Sequence, residues 1–121
     1  MQKLLITLLL ISPFSFADWG DVYYCQMTSF AVTDHDGKLQ EVELGKFQFK
    51  LDETEKAMVF GEGGYFANIK MSLEPKWSYA DHSIWLANDY DSTISFFKGK
   101  LMYSRVQFAT ITSLTADCDK F

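Results

Sequence analysis

The sequence predicts an all-β fold: a small antiparallel up-and-down barrel or sandwich of about eight short strands, preceded by a signal-peptide helix. Three observations predict it. Short runs alternating apolar and polar residues recur along the chain, separated by turn chemistry about every 8–12 residues. Beyond the N-terminal apolar run, no segment keeps the period of an amphipathic helix. The two cysteines, Cys25 and Cys118, stand near opposite ends of the chain, so a bond between them would join the first strand to the last. That favours a closed or nearly closed barrel.

The clearest stretch runs from Ile84 to Phe108. Ile84 to Ala87 reads as a strand. Asn88-Asp89-Tyr90-Asp91 reads as a turn, because Asn and Asp side chains bond their own backbone and tolerate unusual φ. Ser92 to Phe97 is the next strand, and Lys98-Gly99 a short hairpin loop in which Gly takes positive φ without strain. Leu101 to Phe108 is the third strand. A two-residue loop puts Ile94 and Phe96 on one face with Leu101 and Tyr103. Thr93, Ser95 and Ser104 share the other face with Phe97 and Met102. Trp85 faces away from Ile84 and Leu86, and an exposed patch of Trp85, Phe97 and Met102 would mark a binding surface. A bulge near Arg105 would return Val106 and Phe108 to the core face.

Upstream, Val22 to Val32 is a long first strand with Tyr23, Cys25 and Met27 on one face. Asp34-His35-Asp36-Gly37 is a turn. Leu39 to Leu44 is an exposed or edge strand, with Gly45 marking a bulge. Phe47, Phe49 and Leu51 alternate with Gln48 and Lys50, the pattern of a half-buried strand. Asp52 to Lys56 is a charged turn, after which Met58 and Phe60 resume the pattern. Gly61-Glu62-Gly63-Gly64 is the most flexible segment by composition, and Tyr65 to Met71 a further strand. Leu73-Glu74-Pro75-Lys76-Trp77 breaks it, since proline cannot donate to a ladder. Ile111 to Cys118 is the last strand, with Leu114, Ala116 and Cys118 on one face.

The N-terminus reads as an export signal. Lys3 precedes the apolar run Leu4 to Ile11, which is too short to cross a bilayer, a task that takes about 20 residues. Ser12-Pro13 breaks the run, and Ser15-Phe16-Ala17 offers small residues for cleavage. The expected division is a signal peptide over residues 1–17 and a single β domain over 18–121, exported to the periplasm or secreted. Cleavage there would leave 104 of the 121 residues and take the net charge from −5 to −6, because Lys3 leaves with the leader. An acidic chain with scattered lysines argues against nucleic-acid binding, which needs a basic patch. The chain ends on Phe121, as outer-membrane barrels do, but Asp119 and Asp117 would then face lipid, so no membrane insertion is expected. In an oxidising compartment Cys25 pairs with Cys118. Closing a loop of about ninety residues contributes roughly 4–5 kcal/mol in the chain-entropy model.

Chemical motifs are sparse. Asp34-x-Asp36-Gly37 opens like a calcium loop, but the ligand spacing then fails and no terminal Glu follows. His35 and His82 lack the local partners of a metal site, and His82-Ser83 would point to opposite faces of a strand. No metal site, cofactor or catalytic group is therefore expected. Aromatic residues are the one excess, at 17% of the chain with 11 Phe, 6 Tyr and 3 Trp. Core packing accounts for most such rings, and a cavity lining is the alternative. The candidate ligand-binding residues are Phe47, Phe49, Phe60, Tyr65, Trp85, Phe96 and Tyr103.

Two resemblances bear on these expectations. From Asp21-Val-Tyr-Tyr-Cys25 through Phe47-Gln-Phe-Lys-Leu51 and Met58-Val-Phe-Gly61 to the Thr115-Ala-Asp-Cys-Asp-Lys-Phe121 ending, the chain resembles a group of small exported bacterial proteins with no assigned function. More loosely, it resembles the periplasmic inhibitors of C-type lysozyme, eight-stranded barrels with Cys near both ends. Their hallmark is a Ser/Gly-rich loop ending in Ala-Arg-Tyr, for which the nearest stretch here is Gly61-Glu62-Gly63-Gly64-Tyr65, without the Ser or the Arg. The expected function is non-catalytic binding. A small apolar ligand is favoured, and a protein-binding or inhibitor module using the 61–65 loop is the alternative.

Overall fold

The computed structural model describes residues 17–73, 77–79 and 82–121. The expected leader, up to residue 16, and the break at 74–76 lie outside the described residues. Ten strands follow in chain order: β1 (Val22–Thr33), β2 (Leu39–Glu41), β3 (Lys46–Asp52), β4 (Ala57–Phe60), β5 (Lys70–Leu73), β6 (Trp77–Tyr79), β7 (His82–Asp89), β8 (Ser92–Phe97), β9 (Lys100–Gln107) and β10 (Thr110–Lys120). Eight of them close an antiparallel barrel in the order β1-β3-β4-β5-β7-β8-β9-β10 and back to β1. The two others are short additions, β2 on the end of β1 and β6 on β7.

Closure rests on the β1–β10 seam. Cys25 lies directly opposite Cys118 in that register, and the two are bonded across 93 residues of sequence. The expected disulfide is thus a staple between the first and last barrel strands. The seam also holds the one irregularity in β1, a bulge between Met27 and Ser29. There the hydroxyls of Thr28 and Ser29 both reach Thr115 Oγ1, at 2.7 and 2.6 Å. The extra residue resets the alternation, so that Tyr23, Cys25 and Met27 face inward before it and Phe30 after it. No bulge forms at Gly45; instead its carbonyl accepts from the Met27 amide beside the irregularity.

The meander matches its prediction in register. Lys98 and Gly99 both have positive φ, the geometry of a two-residue hairpin, and Ile94, Phe96, Leu101 and Tyr103 all face inward. The turn before β8 is tighter than expected, because Asn88 and Asp89 pair with Thr93 and Ser92 and leave only Tyr90-Asp91. Trp85 corrects the expected patch: it pairs with Phe96 on the inner face and is 1% exposed, leaving Met102 outside. The register across β7 and β8 decides this, where apolar residues on both faces of the strand left it open. The ladder past Arg105 is also regular, so Val106 and Phe108 stay outside. The β9–β10 loop, Phe108-Ala109, takes positive φ at both residues without glycine or asparagine. Such backbone costs about 1–2 kcal/mol per residue.

The largest departure is between residues 61 and 69. Tyr65 to Met71 is not one strand; β5 starts only at Lys70. The preceding segment is a compact cap closed by its own backbone. The Asn68 amide donates to the Gly61 carbonyl, Ala67 to Gly64 and Ile69 to Phe66. Asn68, with φ 62, turns the chain back, as an Asn side chain tolerates. Gly64 is the position that fixes the cap against the barrel. It has φ +90, and a Cβ there would come within 2.5 Å of the Lys46 carbonyl oxygen.

Candidate functional site

The two ends of the barrel can be read from the ring contacts. At one end Trp19, from the lead-in to β1, meets Trp85 edge-to-face at 4.9 Å, with Lys56 Nζ over the Trp19 ring at 5.1 Å. At the other end the cap sends Phe66 inward. Its ring is 1% exposed and touches Phe47, Phe60 and Tyr103 at centroid distances of 5.0, 4.7 and 4.9 Å. Its neighbour Tyr65 stays at the rim, 40% exposed, against Phe30 and Tyr103.

Beside this cap lies a cavity of about 520 Å³. Its apolar floor is Phe66, Ile69 and Met71, and its opposite wall is Asp91, Ser92, Tyr103 and Arg105. The wall follows from strand alternation: Ser92 and Arg105 are directly opposed on β8 and β9, one step outward from the buried pair Ile94 and Tyr103. The polar side chains form a chain of contacts. Arg105 Nε lies 3.3 Å from Asp91 Oδ1, the Ser92 hydroxyl donates to that same oxygen at 3.2 Å, and Ser92 meets the Tyr103 hydroxyl at 3.3 Å. The Tyr65 ring lies 6.0 Å from that of Tyr103 and lines the same cavity as Arg105, which sets the cap against the wall.

Ionisation follows the same geometry. Burial pushes the Tyr103 phenol above its ordinary pKa, with the contact to Ser92 pulling the other way. Desolvation works against the Arg105 charge, yet Asp91 and the two tyrosines outweigh it and hold the guanidinium more firmly protonated. Both rim tyrosines sit beside a fixed cation that is itself paired with a carboxylate. The wall therefore offers hydrogen-bonding groups of both kinds while its one ion pair is internally compensated.

The structure divides the sequence-predicted site residues. Phe47, Phe49, Phe60, Phe96 and Tyr103 all lie inside the barrel, and adjacent pairs such as Phe49–Phe60 and Phe49–Phe96 touch at 5.7 and 5.1 Å. Trp85 is buried with them but packs toward the opposite end, on Trp19. Of the seven, Tyr65 and Tyr103 border the mouth cavity. Sequence reasoning missed Phe66, Ile69, Asp91, Ser92 and Arg105. One signal was there to use: Arg105 follows Leu101 and Tyr103 in the inward alternation, and a cation on a core-facing position marks either a barrel end or a site.

A second concavity, a groove of about 820 Å³, runs over the outer face of β3, β1 and β10 between Tyr24, Lys46, Gln48, Asp117 and the Gly61–Gly64 wall. It is larger, but it lies more open on the outer sheet face. The mouth is the better candidate because it is more enclosed and brings convergent polar groups together beside buried rings. Among the described residues, no group of three His, Cys, Asp or Glu is placed to hold a metal. No protein-family model matches the chain, and neither a curated protein nor a solved structure matches it. The site alone carries the functional argument.

Proposed function

We propose that the protein is an exported, non-catalytic binding domain that holds a small, largely apolar ligand at the mouth of its barrel. The observation that carries this reading is the 520 Å³ mouth cavity, with rings and aliphatic side chains below and a hydrogen-bonding wall beside them. Small-molecule sites measure roughly 300–1,000 Å³. The Cys25–Cys118 bond supports an oxidising location, periplasmic or secreted, which agrees with the expected leader over residues 1–17. Asp117 and Asp119 on the outer barrel face argue against insertion in a membrane. The second reading, a protein-binding or inhibitor module using residues 61–65, draws on the exposed Tyr65 ring at the rim.

Native mass spectrometry of the full chain, purified from cells that export it, tests the proposal. The expected result is a discrete small-molecule mass that is lost on denaturation. The bare polypeptide mass would overturn the reading, and a co-purifying polypeptide in its place would favour the second.

A further inference from the structure

We infer that the barrel's ligand carries a planar aromatic ring bearing a hydrogen-bonding group, and that it binds by taking the place of Phe66 and Tyr65. The inference rests on the mouth-binding reading above and names the ligand class and the gate of that site.

The first ground is the seat itself. Phe66 is the buried ring at this end that no strand supplies; it reaches the interior from the cap. Phe47, Tyr65 and Tyr103 meet it edge-on, with interplanar angles of 77°, 82° and 79°, while Phe60 lies tilted against it at 33°. This geometry is specific to a flat ring, since edge-to-face contact depends on the quadrupole of both partners. An aliphatic group of equal volume fills the space without those contacts.

The second ground is how the cap is held. Its backbone bonds are largely its own, between residues 61 and 69. Backbone bonds anchor it to barrel strands at its two ends, from the Gly61 amide to the Gln48 carbonyl and from the Phe60 amide to the Ile69 carbonyl. Between those ends its contacts with the barrel include the Phe66 ring, the Tyr65 ring against Phe30 and Tyr103, and the close approach of Gly64 to Lys46. A unit closed on itself and hinged at both ends can lift without breaking a sheet ladder.

The third ground is chemical symmetry. The cap presents the barrel with a buried ring and, one residue before it, a phenol whose ring packs on Tyr103 beside the Asp91–Ser92–Arg105 contacts. A phenol-type ligand brings the same two features in one molecule. It restores the ring contacts that lifting the cap removes and brings a hydroxyl to the same polar wall, so the exchange is balanced at the site and driven by ligand concentration.

The test uses the whole chain with 4-fluorophenylalanine in place of Phe66, titrated with p-cresol and separately with 4-methylcyclohexanol. Amide shifts at Met71, Tyr103 and Arg105 report the mouth, and the fluorine signal reports the seat. The expected result is saturable mouth shifts with p-cresol, a fluorine shift to its solvent-exposed value over the same concentrations, and at least tenfold weaker binding of the saturated alcohol. Mouth shifts with an unmoved fluorine would leave the binding site standing and overturn the gate. Equal binding of the two alcohols would overturn the aromatic class. No shift at either position would overturn this inference, while the mouth-binding reading falls only with the bare polypeptide mass in the native measurement above.

Discussion

The barrel is closed at its two ends by different means. At the Trp19 end the lead-in to β1 is stitched to a strand through the backbone: the Gly20 amide donates to the Leu51 carbonyl and the Leu51 amide to the Asp21 carbonyl. Asp21 also pairs with Lys120 at 3.3 Å, and the Phe121 amide donates to the Val22 carbonyl. At the mouth, a self-bonded cap rests on the barrel through Phe66, Tyr65 and the packing of Gly64. The first closure shares the ladder's cooperativity. Among the described residues, the second is anchored by backbone bonds only at its two ends, Gly61 to Gln48 and Phe60 to Ile69, and otherwise rests on side chains. Local opening is expected where few backbone bonds cross into the rest of the fold, and binding elements are drawn from such regions.

This comparison can be broken or sharpened by substitution. The largest effect is common to both ends. Replacing Cys25 and Cys118 together removes a crosslink spanning 93 residues and should cost roughly 4–5 kcal/mol in denaturant unfolding, if the loop-closure account holds. Because that loss acts through the unfolded chain, it should lower the protection of both ends alike.

Next in size, Phe66→Ala should cost about 3–4 kcal/mol, in the range for a buried phenylalanine. Trp19→Ala should cost less, because Trp19 is only partly buried. Amide exchange separates the two: Phe66→Ala should speed exchange in the cap, and Trp19→Ala should speed it near Leu51. Equal effects at both ends would mean the two closures are one cooperative unit.

Alkaline titration probes the barrel between the ends. Burial, with the neighbouring Asp21 charge, pushes the Tyr23 phenol up to about 12. The folded state therefore holds that proton after the unfolded chain, titrating near its ordinary value of about 10, has lost it. The contribution is complete below about pH 10 and is lost as pH rises through about 12. Melting temperature should fall across that window, and Tyr23→Phe should shallow the fall.

The smallest effect is the most local. Tyr65→Phe removes a hydroxyl from the exposed rim and keeps the ring contacts, so it should weaken cap closure by less than about 1 kcal/mol, the usual net value of one hydrogen bond. Exchange near Leu51 should be unchanged.

The sequence exposes the barrel wall more readily than either end. Strict alternation in Phe47-Phe49-Leu51 and in Ile94-Phe96 across Lys98-Gly99 to Leu101-Tyr103 fixes inner and outer faces, because a one-residue slip would expose every apolar side chain. The disulfide was legible for a related reason: with two cysteines only one intramolecular pairing exists. The cap was not legible. Tyr65-Phe66 followed by Ile69 and Met71 carries enough apolar bulk to read as strand, and only Asn68 hints at a reversal. Trp85 was misplaced because its strand is apolar on both faces, so its facing is decided by pairing with Phe96. The Phe108-Ala109 turn has no turn residues to announce it. The mouth wall is legible only in part, since Asp91 reads as turn chemistry and Ser92 as the start of a strand until Arg105 is seen opposite Ser92.

The most direct measurement is residue-resolved hydrogen exchange of the unmodified protein under native conditions. The account predicts that the amides of Ala67, Asn68 and Ile69 exchange through a local opening with a lower free energy than global unfolding. Leu51 should exchange only when the whole barrel unfolds. Cap amides that exchange with the same free energy and denaturant dependence as Leu51 would contradict it.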